Sequence, residues 1–159
     1  MSPTVVLLLA FLIGVVAGLR SLTAPAVVAW AAHRGWIDLS AAPAVHFMAS
    51  AVTVGIFAVA AVGELIGDQL PRAPSRTAAP GLIARIGLGG LSGASLSVAG
   101  GQSIAIGALL GAIGGICGAF GGYQVRTGLV RALKVPDFVI ATLEDALAIG
   151  AAFFIVTRF

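Results

Sequence analysis

The sequence predicts an all-α, polytopic transmembrane helical bundle. Of its 159 residues, 59% are hydrophobic and only 9% are charged, and the mean hydropathy is +1.09. Soluble domains carry about 25% charged residues, so a chain this poor in charge cannot cover a water-facing surface. Apolar runs of roughly 20 residues, the length that a helix needs to cross a bilayer, recur along the chain between short polar segments.

The apolar runs predict five spans and one short helix within a single domain. These elements are expected over residues 4–22, 25–33, 44–67, 81–98, 103–130 and 137–157. The first run begins without the basic segment of a signal peptide, so we expect it to be retained. Pro25 suits the first turn of a new helical piece, which breaks or kinks the chain after the first span. The span over 81–98 is rich in Gly and Ser, and a re-entrant helix is the alternative there.

The fourth span is the richest in glycine. Two sets recur every four residues, Gly107, Gly111 and Gly115 in one, Gly114, Gly118 and Gly122 in the other. On a helix such spacing makes two adjacent stripes without side chains. Bare stripes let neighbouring backbones approach closely, which is how helices associate in lipid. The pattern predicts a central helix packed through glycines, and it does not distinguish internal packing from a homo-oligomer.

Loop charges predict the orientation in the membrane. The basic residues on the side of the N-terminus would be Arg72, Arg76, Arg85, Arg131 and Lys134. Those on the other side would be Arg34 and Arg158, with the C-terminus. Cytoplasmic loops carry the excess of Lys and Arg, so the N-terminus is predicted in the cytoplasm. The net charge of +3 therefore reflects topology, and no motif indicates nucleic acid.

Two segments align as a candidate inverted repeat. Residues 14–23 match residues 118–127 at two glycines and a threonine. An odd number of spans between the copies would place them in opposite orientations, as in many transporters. Arg20 and Arg126 miss a common register by two positions, which counts against the repeat.

Ionisable residues within or beside the spans form the candidate ligand-binding or translocation site: Arg20, Glu64, Asp68, Arg126, Glu144 and Asp145. A charge at mid-membrane costs on the order of 3 kcal/mol, so such groups are paired or line water. In the five-span arrangement Arg20 lies alone toward the outer half and the others lie toward the cytoplasmic half. Carboxylates hold a cation or carry protons, and arginine holds an anion. Structural ion pairs between helices are the alternative.

The sequence lacks the arrangements that enzymes and metal sites need. The glycine-rich run over 87–93 has no lysine of a phosphate-binding loop, and no nucleophile lies near a base. His46 has no second histidine at ligand spacing, and Cys117 is the only cysteine. We therefore expect no enzyme, no metal and no cofactor.

Three stretches carry a family resemblance. Residues 18–30, 61–81 and 136–153 read GLRSLTAPAVVAW, AVGELIGDQLPRAPSRTAAPG and PDFVIATLEDALAIGAAF. The chain resembles a family of small bacterial integral membrane proteins known as domain of unknown function 4126. The resemblance implies a multi-pass protein of the bacterial inner membrane, and it supplies no substrate or catalytic residue.

The resulting functional hypotheses differ in what the buried charges do. In the first, the protein is a transporter or channel for a small solute or ion. In the second, it is a membrane scaffold or accessory subunit whose charges are structural pairs. A lipid-modifying membrane enzyme is the third and least supported hypothesis. The expected partners are the lipid bilayer, a small solute or ion, and a second copy of the chain.

Overall fold

A computed structural model describes residues 1–67 and 78–159, and every regular element within these ranges is a helix. The α-helices are α1 (Pro3–Leu19), α2 (Thr23–His33), α3 (Pro43–His46), α4 (Ala51–Gly67), α5 (Ala79–Ala99), α6 (Ile104–Leu133) and α7 (Asp137–Val156). A single-turn 3-10 helix, Phe47–Ala49, links α3 to α4. The prediction of an all-helical bundle is confirmed for the described residues.

Three of the described helices, α5, α6 and α7, are long and apolar enough to cross a membrane. The segment Pro43–Ala49 and α4 meet the same criteria together but are bent by 68°, which gives up to four spans. The 17 residues of α1 fall short of this length. Length and composition thus support a membrane-embedded protein with three to four spans among the described residues, fewer than the five expected.

The helices α1, α5 and α6 form the centre of the bundle. A Cβ atom built on Gly18 would lie 2.5 Å from the Gly115 carbonyl oxygen, and one on Gly93 would lie 2.5 Å from that of Gly107. Real Cβ atoms essentially never come within 3.0 Å of another heavy atom, so these backbones pass too closely for a side chain. Ser97 also lies at this contact, beside Gly107.

The directions of α1 and α6 exclude the inverted repeat. Gly14 lies against Gly111, and Gly18, one turn later, lies against Gly115, so the two helices run in the same direction. An inverted repeat needs its two copies to run in opposite directions. In addition, residues 118–127 lie within the continuous helix α6. The aligned residues 14–23 instead include the end of α1 and the start of α2. The proposed alignment was wrong because glycine matches are frequent by chance in a glycine-rich sequence.

The helix α2 turns back beside α1, and its direction follows from its contacts with α7. Arg20, at the turn, contacts Asp145, whereas the Trp30 ring lies 5.4 Å from the Phe153 ring. Hence α2 runs parallel to α7. Because α7 is antiparallel to α6, and α6 is parallel to α1, α2 is antiparallel to α1. With 11 residues, α2 is about 16 Å long, too short to cross a hydrocarbon core of about 30 Å. We call α1, the turn and α2 the α1–α2 hairpin.

The hairpin brings both chain termini to the same end of the bundle, here called the terminal end. Val6 packs at Gly100, in the connection between α5 and α6, and Trp36 borders the same shallow pocket as Phe159. The α6–α7 connection lies at the other end, here called the opposite end. The five-span prediction, in which the termini lie on different sides, assumes a complete first span followed by the short helix.

Candidate functional site

The turn of the α1–α2 hairpin is the one place where non-helical backbone meets several charged side chains in the described interior. Arg20 ends α1 with extended dihedral angles, φ −137° and ψ 108°. Pro25 lies in the first turn of α2, where its missing N–H removes no helical hydrogen bond. Backbone at such a turn still needs hydrogen-bond partners, because lipid supplies none.

Glu64 of α4 supplies those partners. Its Oε1 accepts hydrogen bonds from the Ser21 backbone N–H at 2.8 Å and from the Ser21 hydroxyl at 2.5 Å. Its Oε2 accepts from the Leu22 N–H at 2.8 Å. These N–H groups lie at the start of α2, where the helix dipole favours a negative charge. Glu64 therefore fastens the hairpin turn to α4.

Arg85 of α5 also contacts this turn, although it is not among the predicted site residues. Its Nε donates to the Gly18 carbonyl at 3.1 Å and its NH1 donates to the Gly81 carbonyl at 3.0 Å. Its NH2 lies 3.8 Å from Glu64 Oε1. A charge within an apolar run was the signal that identified the other candidates, and it applied equally to Arg85.

Arg20 forms an ion pair with Asp145 of α7. Arg20 has no exposed surface and Asp145 is 8% exposed, so both charges are removed from solvent. The expectation that Arg20 lies alone was wrong, because the return of α2 brings the turn to the level of Asp145. A buried pair of this kind balances a large desolvation cost with a strong attraction.

Arg126 of α6 binds the start of α7. Its Nε donates to Asp137 Oδ1 at 2.9 Å, and its NH2 donates to the other oxygen of the same carboxylate. Its NH1 lies 3.6 Å from Glu144 Oε2. Paired parallel hydrogen bonds of this type are the strong form of the arginine–carboxylate contact. Asp137 is not among the predicted site residues, so this contact was not anticipated.

The predicted site residues therefore separate into neighbouring groups. Glu64 and Asp145 lie at the hairpin turn with Arg20, whereas Glu144 and Arg126 lie between α6 and α7. Asp68 lies outside the described residues. Within residues 1–67 and 78–159, no group of three His, Cys, Asp or Glu side chains is arranged to hold a metal ion.

A groove of about 490 Å³ runs along the surface between α1, α6 and α7. Leucine, valine, isoleucine and phenylalanine side chains form nearly all of its lining, and Arg126 and Glu144 are its charged members. This volume is in the range of ligand sites, roughly 300–1,000 Å³.

Comparison with family models, with curated proteins and with solved structures finds no match to this chain. Its class is therefore defined by the helices and the charged interior themselves. The chain is an α-helical, membrane-embedded protein, and the resemblance to a family of small bacterial membrane proteins stays a prediction.

Proposed function

We propose that the protein is a small transporter or channel whose solute or ion site lies at the turn of the α1–α2 hairpin. One observation carries the proposal: a non-helical turn lies in the protein interior among Arg20, Glu64, Arg85 and Asp145. At membrane depth, such backbone occurs where it is buried in protein or lines a water-filled cavity. Transporters place their sites at broken helices of this type.

Glu64 is the residue on which transport depends in this proposal. As a carboxylate it holds Ser21 and Leu22 at the start of α2 and faces Arg85. Protonation of Glu64, or competition from an anionic solute for the same N–H donors, loosens the turn from α4. A hairpin that separates from α4 in this way opens a path between the two ends of the bundle.

The proposed topology is a re-entrant α1–α2 hairpin with crossings by α4, α5, α6 and α7, in which glycines set the distances between α1, α5 and α6. Arg131 and Lys134 then lie at the opposite end, whereas Arg34 and Arg158 lie at the terminal end. Arg72 and Arg76 belong to the segment between α4 and α5, outside the described residues. With Arg126 of α6 included, the described residues place three basic side chains toward the opposite end and two at the terminal end. The positive-inside rule therefore favours a cytoplasmic opposite end, which reverses the orientation predicted from five spans.

Cysteine labelling tests this topology. In a Cys117→Ala background, Ser2→Cys and Arg131→Cys are labelled in intact cells with a membrane-impermeant thiol reagent. We expect labelling of Ser2→Cys from outside and of Arg131→Cys only after the membrane is opened. Labelling of both positions only after the membrane is opened would restore the five-span prediction, which places the N-terminus and Arg131 together in the cytoplasm.

Flux through reconstituted protein tests the function. The wild-type chain in liposomes is compared with Glu64→Gln, and with Arg131→Gln as a control at an exposed position of α6. Proton and alkali-cation flux are followed with entrapped indicator dyes, with and without small anions outside. We expect flux that Glu64→Gln abolishes and Arg131→Gln preserves. Equal flux in the wild type and Glu64→Gln would show that transport does not depend on Glu64.

A scaffold or accessory subunit is the second candidate. The observation that favours it is that Arg20, Arg85 and Arg126 each contact a carboxylate of another helix. It predicts folded, reconstituted protein without flux and Glu64→Cys inaccessible to thiol reagents from both sides. An inner-membrane location, a homo-oligomer and the lack of enzymatic activity stay predictions under either candidate.

A further inference from the structure

The carboxylate of Glu64 binds to donors that come from other elements of the fold. Its oxygens accept hydrogen bonds from the Ser21 N–H at 2.8 Å, the Ser21 hydroxyl at 2.5 Å and the Leu22 N–H at 2.8 Å. The Arg85 guanidinium of α5 lies 3.8 Å from the same carboxylate. The hairpin turn and α5 thus surround an anion that α4 supplies. We call Ser21, Leu22 and Arg85 the donor set.

The donor set is held in place by contacts that do not involve Glu64. Arg85 Nε donates to the Gly18 carbonyl oxygen at 3.1 Å, which ties α5 to the end of α1. Its NH1 donates to the Gly81 carbonyl oxygen of its own helix at 3.0 Å. Ser21 is 8% exposed and Arg85 is 6% exposed, so both lie in the packed interior. The donors therefore keep their positions when the Glu64 carboxylate leaves.

The helix that carries Glu64 is loosely embedded. No residue of α4, Ala51–Gly67, is fully buried. Val54 and Phe57 are partly buried where they pack against the core. A change of the Glu64 rotamer or a small shift of α4 therefore breaks few apolar contacts. The main cost of withdrawing Glu64 is the loss of its hydrogen bonds, which a second anion can restore.

The charges around the turn select a monovalent anion. When the Glu64 carboxylate has left, the charged groups described at the turn are Arg20, Arg85 and Asp145. Two guanidiniums and one carboxylate leave a net charge of +1, and buried charges need compensation. A cation would add to this positive charge. The Ser21 and Leu22 N–H groups each serve a different oxygen of Glu64, so their spacing fits another carboxylate.

We propose that the turn of the α1–α2 hairpin binds a small monocarboxylate, of the size of formate or acetate, in the place of the Glu64 carboxylate. The solute and Glu64 compete for the same donor set, so binding of the solute releases α4 from the turn. The inference rests on the proposed function, which takes this turn as the solute site, and it names the chemical class of that solute.

Chemical rescue of Glu64→Ala tests the proposal. The substitution removes the carboxylate and leaves room for formate beside the donor set. Thermal unfolding of the purified protein in detergent is followed in sodium formate, acetate or chloride at equal ionic strength. We expect formate and acetate to raise the melting temperature of Glu64→Ala by about 3–6 °C at ten times their dissociation constants. Chloride should raise it less, and the wild type, whose own carboxylate fills the site, should not respond to formate.

Two controls separate this site from general effects of salt. Ser21→Ala in the Glu64→Ala background removes the hydroxyl donor and should weaken formate binding several-fold. Glu144→Ala removes a carboxylate of similar exposure, 10% against 9%, that lies 3.6 Å from Arg126. Formate should stabilise this variant less, because that position offers a guanidinium and not the N–H donors of the hairpin turn.

Equal or larger shifts in chloride, or equal rescue of Glu64→Ala and Glu144→Ala, would overturn the proposal. If Glu64→Ala folds in none of the salts, uptake of radiolabelled formate by wild-type proteoliposomes decides, and a lack of uptake overturns it. Rescue without any flux would keep the anion site and contradict the transporter. Flux of protons or cations without rescue would keep the transporter and contradict a carboxylate as its solute.

Discussion

The helices α1, α5 and α6 meet backbone to backbone, whereas α4 and α7 combine apolar packing with contacts through charged side chains. In the centre, a Cβ on Gly89 would lie 2.6 Å from the Gly111 carbonyl oxygen. At the periphery, Glu64 reaches Ser21 and Arg20 reaches Asp145. Contact between backbones leaves no room for adjustment, but charged groups can exchange partners with water, ions or ligands. The periphery is therefore where we expect motion and binding.

Glu64 and Glu144 show the same contrast within the periphery. Their side chains are 9% and 10% exposed, so burial does not distinguish them. Glu64 accepts three hydrogen bonds at the hairpin turn, whereas Glu144 lies 3.6 Å from Arg126 in the wall of the groove. The two carboxylates therefore differ in what they join: Glu64 links α4 to the hairpin turn, and Glu144 faces Arg126 across α6 and α7.

The largest effect is expected for Gly111→Val in the centre. The added side chain collides with the backbone of α5 at Gly89, which cannot give way as a flexible side chain would. Overpacking of a core costs about 1–3 kcal/mol, and a clash with backbone should exceed that range and prevent folding. Size-exclusion chromatography in detergent measures the folded fraction.

Gly121→Val is the matched control, because a Cβ at Gly121 of the same helix meets open space. It should remain monodisperse. Similar behaviour of the two variants would contradict the distinction between a centre of close backbone contacts and an adaptable periphery.

The next effect is expected for Arg20→Gln, which leaves the Asp145 carboxylate buried without its ion pair. Removal of one member of a buried pair costs about 3–5 kcal/mol, whereas replacement of both members by apolar residues is often close to neutral. We expect a large loss of thermal stability for Arg20→Gln and a much smaller loss for the double variant Arg20→Leu/Asp145→Leu. Equal losses would show that the pair contributes no more than its packing.

Glu64→Gln should have an intermediate effect on the free energy of unfolding. The amide keeps one oxygen acceptor but loses the second and the charge that faces Arg85 and the start of α2. Loss of one partner at a buried hydrogen bond costs about 1–3 kcal/mol. Ser21→Ala, which removes the hydroxyl donor alone, should cost less, and thermal unfolding ranks the two. A larger loss of stability in Ser21→Ala than in Glu64→Gln would show that the Ser21 hydroxyl contributes most to holding the turn.

The smallest effect is expected for Asp137→Asn, because this carboxylate is 62% exposed. Exposed ion pairs contribute about 0–1 kcal/mol and weaken with salt. The change in melting temperature should therefore be small at low salt and vanish at high salt. A large, salt-independent decrease in melting temperature would show that Asp137 stabilises the fold as the buried ion pairs do.

Sequence reasoning found much of the candidate site, because apolar runs make charged residues conspicuous. Glu64, Arg126, Glu144 and Asp145 were identified in this way and lie at the hairpin turn or the groove. Arg85 was visible by the same criterion but was interpreted as part of a weak span. The partners of these groups were not predictable, since Glu64 meets Ser21 across 43 residues of chain.

The sequence by itself determined that the chain is helical and embedded in a membrane, because hydropathy and helix length are properties of single segments. Only the tertiary structure decided that α2 returns beside α1, since Arg20 to Pro25 permits a kink as well as a reversal. Contacts with α4, α5 and α7 select the reversal, because they satisfy the hydrogen bonds and charges of that turn.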